Sequence, residues 1–298
     1  PAPHEVMVTT LFSGISRGTE RLVFEGRVPT AEHARMRCPL QEGDFPFPVK
    51  YGYAAVGLIT GGPSARLGQP VFVLAPHQSR FACPAAMARP LPEGLAPELA
   101  VLAANMETAL TVVWDAGVGP GDRVAVVGAG VIGALVGRLC ARIPGTEVTL
   151  IDHTPARAGL AAHLGCGFAV PGDARGGCDV VIHASASAPG LAEALRLAGP
   201  EAVVVEASWH GAAEVAVPLG GAFHSQRLRL ISSQVGCVPP ARAPRWDNAR
   251  RMDAALALLA GDGAVAALIS GETGLDDLPH AYGAILADPD TLCHRIRH

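Results

Sequence analysis

Gly128, Gly130 and Gly133 fall within the run Val124-Ala125-Val126-Val127-Gly128-Ala129-Gly130-Val131-Ile132-Gly133. The residues before it are apolar and strand-like, and Ala134–Cys140 after it reads as a helix. G-x-G-x-x-G between a strand and a helix brings the backbone up to a pyrophosphate. Gly128 permits the tight turn, Gly130 the close approach, and Gly133 the packing of helix on strand. The first N–H groups of the helix, Val131 and Ile132 among them, then face the anion with the positive end of the helix dipole. Asp152 follows the next strand, Val148–Ile151. It lies about 20 residues past the glycines, where a carboxylate accepts from ribose hydroxyls. A carboxylate repels a 2′-phosphate, so NAD is favoured and NADP stays open as the second cofactor. Arg157, close behind, weakens that preference slightly. The chain has 35 glycines, so the hexapeptide alone is weak; strand, helix and acid together make it strong.

The surrounding elements fit that role. From about 106 to 240, short apolar strands alternate with helices. Strands are predicted at Arg123–Val127, Glu147–Ile151, Asp179–His183, Ala202–Glu206 and Arg227–Ser232. Helices are predicted over Val131–Ile143, Pro155–Leu164 and Gly190–Leu197, with another at Asn248–Leu259. This pattern predicts a parallel sheet covered on both faces. Residues 1–100 differ, being rich in Pro and Gly with short apolar runs such as Glu5–Phe12, Ala54–Ile59 and Val71–Leu74. They read as mostly β. The long segment Glu32–Val49 reads as a loop of functional length.

Composition narrows the function classes. At 49% hydrophobic and 17% charged residues, the chain is not disordered. A formal net charge of −4 offers no basic field for nucleic acid. No apolar run reaches the roughly 20 residues that span a bilayer, so no membrane partner is expected. Seven scattered cysteines without a C-x-x-C pair argue for reduced thiols in the cytoplasm.

Three segments carry a resemblance. Gly14-Ile15-Ser16-Arg17-Gly18-Thr19-Glu20 resembles G-I-C-G-T-D. Gly52-Tyr53-Ala54-Ala55-Val56-Gly57 resembles G-H-E-x-x-G. Gly117-Val118-Gly119-Pro120-Gly121-Asp122-Arg123-Val124 resembles A-G-V-x-x-G-D-x-V. Together with the domain order they resemble the medium-chain dehydrogenase/reductase superfamily, the zinc-type alcohol dehydrogenase-like group. Ser13–Pro29 looks most like its bacteriochlorophyllide hydroxyethyl dehydrogenase branch. The resemblance implies an α/β protein with two parts. One is a GroES-like β-rich substrate domain from residues 1–105 and 241–298. The other is a Rossmann domain, a doubly wound parallel sheet, over 106–240. It also implies an active site in a cleft between them, a homodimer joined at the last core strand, and a small-molecule substrate. The family carries a strand ahead of the segment matching Pro3–Val6; either this chain lacks it or the sequence begins part-way.

The departures from the family matter more. Its metal ligands fall here on Ser16, Tyr53, Ala54 and, by spacing, Ala104. A zinc site needs three or four N, S or O donors, so no zinc is expected. Tyr53 then becomes the expected proton donor to an alkoxide or enolate. A phenol titrates near about 10, and Lys50 is expected to lower that value. Ser16 and Thr19 are candidate partners in proton transfer. Glu20 reads as a partner for Arg17 or Arg21. Glu107 is a candidate base or an arginine partner. By position in the family, Thr108 and Ile132 lie beside the nicotinamide, Val131 belongs to the cofactor-binding turn, and Ala184 and Ser185 lie beside the adenosine ribose. Val205, Ser232 and Gln234 offer groups to the carboxamide. The expected reaction is zinc-independent hydride transfer between a secondary alcohol and a ketone. The alternatives are a metal-free ene or quinone reductase using NADPH, and a nucleotide-binding protein without catalysis.

Overall fold

The computed structural model describes residues 1–298, in two compact units: residues 1–104 with 252–298, and residues 105–251. The first unit begins with β1 (Glu5–Ser16), α1 (Arg17–Phe24), β2 (Glu42–Gly43), β3 (Val49–Lys50) and β4 (Ala55–Gly61). It continues through β5 (Pro70–Val73), β6 (Arg80–Pro84), β7 (Arg89–Pro90) and α2 (Pro97–Ala100). Helix α3 (Ala103–Ala116) carries the chain into the second unit. There follow β8 (Arg123–Val127), α4 (Val131–Ala141), β9 (Glu147–Ile151), α5 (Arg157–His163) and β10 (Gly167–Ala169). Then come β11 (Cys178–His183), α6 (Ala188–Leu197), β12 (Ala198–Glu206) and β13 (Arg229–Ser232). Helix α7 (Asn248–Ala260) returns to the first unit, which ends with β14 (Ile269–Gly274), α8 (Leu278–Ala287) and β15 (Cys293–Arg297).

The sheet of the first unit has the order β14-β15-β1-β4-β5-β7, with β6 also on β1. Alternate residues of β1 point inward: Val6 and Val8 are buried with Ala55, Ile59, Val71 and Phe81. The expected strand stopped at Phe12, but β1 runs on to Ser16. The reason is tertiary: Phe12–Ser16 pair with Arg297–Cys293, from the other end of the chain. The long segment after α1 is not wholly loop, because Glu42 and Gly43 pair with Lys50 and Val49.

The second unit is a six-stranded sheet in the order β10-β9-β8-β11-β12-β13, parallel throughout. This is the doubly wound Rossmann order, with its switch point between β8 and β11. The strands are continuous apolar runs because both faces are covered: Val124, Val126, Val181 and Val204 are fully buried. No helix is long and apolar enough to cross a membrane.

One expectation is corrected here. Glu107, a candidate catalytic group, is the ion-pair partner of Arg251, whose Nε donates to its Oε1 at 3.0 Å. Arg251 also donates to the carbonyls of Cys237 at 3.1 Å and Val235 at 2.6 Å. Both side chains are buried. Burial pushes the Glu107 carboxyl up, against the pull of Arg251. Every donor of this arginine that the geometry reaches is spent on holding α3, α7 and the segment after β13 together. Arg251→Met leaves a buried carboxylate without its cation, which costs about 3–5 kcal/mol. Urea unfolding should register that loss, and Glu107→Leu/Arg251→Met should recover most of it. An unchanged midpoint in the single variant would exclude this role.

Candidate functional site

The glycine loop sits at the switch point of the parallel sheet. Gly128 takes φ +109°, a left-handed conformation that disfavours side chains. A Cβ there would stand 2.8 Å from the carbonyl carbon of Ala184, and one on Gly133 would stand 1.8 Å from the Gly128 oxygen. Hydrogen at Gly133 therefore lets α4 approach the end of β8, and hydrogen at Gly128 lets the loop pass the chain leaving β11. Gly130 behaves differently, since nothing lies within 4 Å of its Cβ direction. It is the N-cap of α4, with no side chain capping the helix. Val131 and Ile132 open that helix half-buried. The result is an open concavity over uncapped backbone N–H groups, the geometry that accepts a phosphate anion.

Asp152 lies beyond the end of β9, directly behind this loop. Its Oδ2 accepts from the Ala129 N–H at 2.8 Å and its Oδ1 from the Thr154 N–H at 2.9 Å. The carboxylate thus shapes the loop and keeps further acceptor capacity for a diol. Arg157 is the first residue of α5. Ala184 donates its N–H to Val127 at 2.8 Å, closing the end of β11 onto β8. Ser185 is exposed, with its Oγ 2.7 Å from His183 Nε2. Thr108 is half-buried on α3.

The carboxamide group of residues fares differently. Val205 is fully buried and lies in register with Ile182 on one side and Ile231 on the other. Its backbone lies in an interior strand, paired on both sides. Ser232 ends β13 exposed, and Gln234 Oε1 accepts from the Gly236 N–H at 2.5 Å. Between them Ser233 donates its hydroxyl to Asp115 at 2.6 Å.

In the first unit the chemistry gathers on Glu20. Its carboxylate accepts the Ser16 N–H at 2.7 Å, the Tyr282 hydroxyl at 2.6 Å and His77 Nε2 at 2.9 Å. His77 Nδ1 meets Ser13 Oγ at 2.8 Å, and Ser13 in turn meets His298 Nε2 at 2.9 Å. Glu20 is not the partner of Arg17 or Arg21; Arg21 pairs with Glu25. Burial alone would push the Glu20 carboxyl up. The His77 charge and the three hydrogen-bonding partners, His77, Tyr282 and the Ser16 N–H, reverse that and hold it below the ordinary carboxylate range. One sequence signal could have found this site: Glu20 falls three residues before Val23 on the buried side of α1.

Tyr53 hydrogen-bonds to Ser16 and Thr19, so these three sequence-derived candidates do meet. Burial and the nearby Glu20 charge push the phenol up, and the two hydroxyl contacts offset only part of this. The expected help from Lys50 is absent: its ammonium bonds Glu42 at 2.5 Å and Gln78 at 3.1 Å. Tyr53 is therefore a neutral phenol at physiological pH, a donor rather than a phenolate. A cavity of about 590 Å³ is lined by Glu20, His77, Tyr282, Phe24, Tyr51 and Leu278, among others, and Tyr53 is not in its wall.

Solved structures share this architecture. An L-idonate 5-dehydrogenase from Escherichia coli K-12 is 16% identical with a TM-score of 0.80, over 99% of this chain and 92% of that one. An alcohol dehydrogenase from Escherichia coli CFT073, complexed with NADH, is 19% identical with a TM-score of 0.74, over 100% and 94%. A protein from Sinorhizobium meliloti 1021 described as a zinc-binding dehydrogenase, bound to NADP, is 21% identical with a TM-score of 0.77, over 100% and 93%. The likeness is one of fold: these dehydrogenase structures have the same two-part α/β architecture. No family model matches the sequence.

That fold raises the question of zinc, and the residues answer on chemistry. Ser16 and Tyr53 offer neutral hydroxyls already bonded to each other's neighbourhood, while Ala54 and Ala104 offer no donor at all. A phenol pushed up by burial does not ionise to become a ligand. The positions do not fit a zinc ion. The nucleotide cradle, by contrast, fits a dinucleotide.

The depressed Glu20 carboxyl has a consequence for stability. Its contribution is fully present above the unfolded value, about 4.3, and is lost as pH falls through the lower folded value. Glu20→Gln should therefore flatten the acid limb of the stability–pH curve relative to the parent chain. Parallel curves for the two proteins in acid would overturn the assignment.

Proposed function

We propose that the chain is an NAD-dependent oxidoreductase that interconverts a secondary alcohol and a ketone without a metal at the Ser16–Tyr53 position. The observation that carries the reading is the open cradle at Gly130, backed by the Asp152 carboxylate. A nicotinamide cofactor held there supplies or takes the hydride. In the reduction direction Tyr53 gives its phenolic proton to the carbonyl oxygen as negative charge develops on it. In oxidation the same oxygen takes the proton back. Ser16 and Thr19 orient the phenol and are its route for exchanging that proton. Burial, reinforced by the Glu20 charge, keeps the phenol protonated, which suits a donor.

The likeness of Ser13–Pro29 to the bacteriochlorophyllide branch supports a bulky hydroxyethyl-bearing substrate. Seven unpaired cysteines support a cytoplasmic setting. The exposed edge strand β13, with Ile231 on its surface, supports a homodimer.

Fluorescence titration with each cofactor tests the first half. NADH should bind at least tenfold more tightly than NADPH. Asp152→Asn keeps an acceptor for the Ala129 N–H, removes the charge and should narrow that gap. A parent protein that prefers NADPH would sink the role of Asp152 and move the ene-reductase reading forward.

Turnover across a panel of ketones and enones tests the second half. Tyr53→Phe should lower kcat by about 10²–10⁴-fold while NADH affinity stays put. Turnover within twofold of the parent would remove Tyr53 as the donor. Tight NADH binding with no turnover of any compound would favour a non-catalytic binding protein.

A further inference from the structure

His183, Glu206 and His210 form a cluster that the reaction above does not use. His183 ends β11, Glu206 ends β12, and His210 follows in the next turn of chain. One ligand atom from each lies within 4.8 Å of the others. We propose that these three side chains bind a divalent transition-metal ion of the zinc class, leaving a fourth position open to water. The inference does not rest on the oxidoreductase reading.

Two imidazoles and one carboxylate are a ligand set with which zinc keeps an open position. With bonds of about 2.0–2.1 Å, adjacent ligand atoms of a tetrahedral ion stand about 3.3 Å apart. His210 Nε2 and Glu206 Oε2 are already 3.3 Å apart. His183 Nδ1 and Glu206 Oε2 are closer, at 2.6 Å, because a proton joins them. A metal ion takes the place of that proton and opens this edge by well under an ångström. Glu206 and His210 are each 17% exposed, so they have room to adjust and the ion has a way in.

The groups behind the ligands are also in place. A ligating histidine usually donates its second N–H to an oxygen, which fixes its tautomer. His183 Nε2 lies 2.7 Å from Ser185 Oγ. A hydroxyl can donate or accept, so Ser185 serves the ion-free tautomer and the metal-bound one by rotating its hydrogen. Ser185 is steadied by Ser187 Oγ at 2.9 Å. The second oxygen of Glu206 accepts from the Ser208 N–H at 2.7 Å, which orients the carboxylate. The set has no thiol, and nitrogen and oxygen donors favour zinc or cobalt over softer ions.

The test is a titration of chelator-treated, tag-free protein with Co²⁺, followed by Zn²⁺ competition. One Co²⁺ per chain should give the intense visible bands of a four-coordinate ion, without a sulfur-to-cobalt charge-transfer band. Zn²⁺ should abolish the visible bands. His210→Ala removes a half-buried ligand from an irregular segment and should weaken Co²⁺ binding at least tenfold. Glu206→Gln should do the same, and Tyr53→Phe should leave binding unchanged. Weak six-coordinate bands, a thiolate signature, or undiminished binding by His210→Ala in a folded sample would each overturn the proposal. In any of those cases Glu206–His183–Ser185 is a hydrogen-bonded structural relay and nothing more.

Discussion

A carboxylate taken out of water must be met by charge and donors or it does not stay ionised. Glu20, on α1, meets that requirement with groups from three other stretches: Ser16 at the end of β1, the segment holding His77, and Tyr282 on α8. The geometry of the first unit's chemistry follows from this one group. It ties the C-terminal helix to the first helix, fixes the His77 ring, and sets the field around Tyr53. Burial and, after it, that field keep the Tyr53 phenol neutral.

The second unit shows the complementary strategy, in which absence of side chains makes the site. Hydrogen at Gly133 lets helix α4 come down on the end of β8, hydrogen at Gly128 lets the loop pass the chain after β11, and hydrogen at Gly130 leaves open space. Asp152 works on both sides of that loop. Its two oxygens hold Ala129 and Thr154 by their backbone N–H groups, so the residue suited to a ribose also sets the loop's shape. The backbone on both sides of the loop is therefore held by a single carboxylate.

Buried ionic pairs elsewhere are structural. Glu107 and Arg251 face each other on α3 and α7, and the arginine spends its remaining donors on carbonyls. An acid in an apolar helix is chemically ambiguous until its partner is known, and that partner lies far along the chain. The same holds for Glu206, whose neighbours His183 and His210 come from a strand end and a turn.

The sequence by itself determined the glycine loop and every strand of the second unit except β10, a three-residue edge strand held by its pairing with β9. Those features are local: short-range apolar period, glycine spacing and residue type carry them. It also brought Tyr53, Ser16 and Thr19 together, though only through the resemblance. Tertiary structure alone decided what each ionisable group does. Glu20 found His77 and Tyr282 rather than an arginine, Lys50 found Glu42 rather than Tyr53, and β1 reached Ser16 because β15 pairs with it. Charge state and partner choice depend on which distant segments share a low-dielectric neighbourhood, and no local pattern in the chain encodes that.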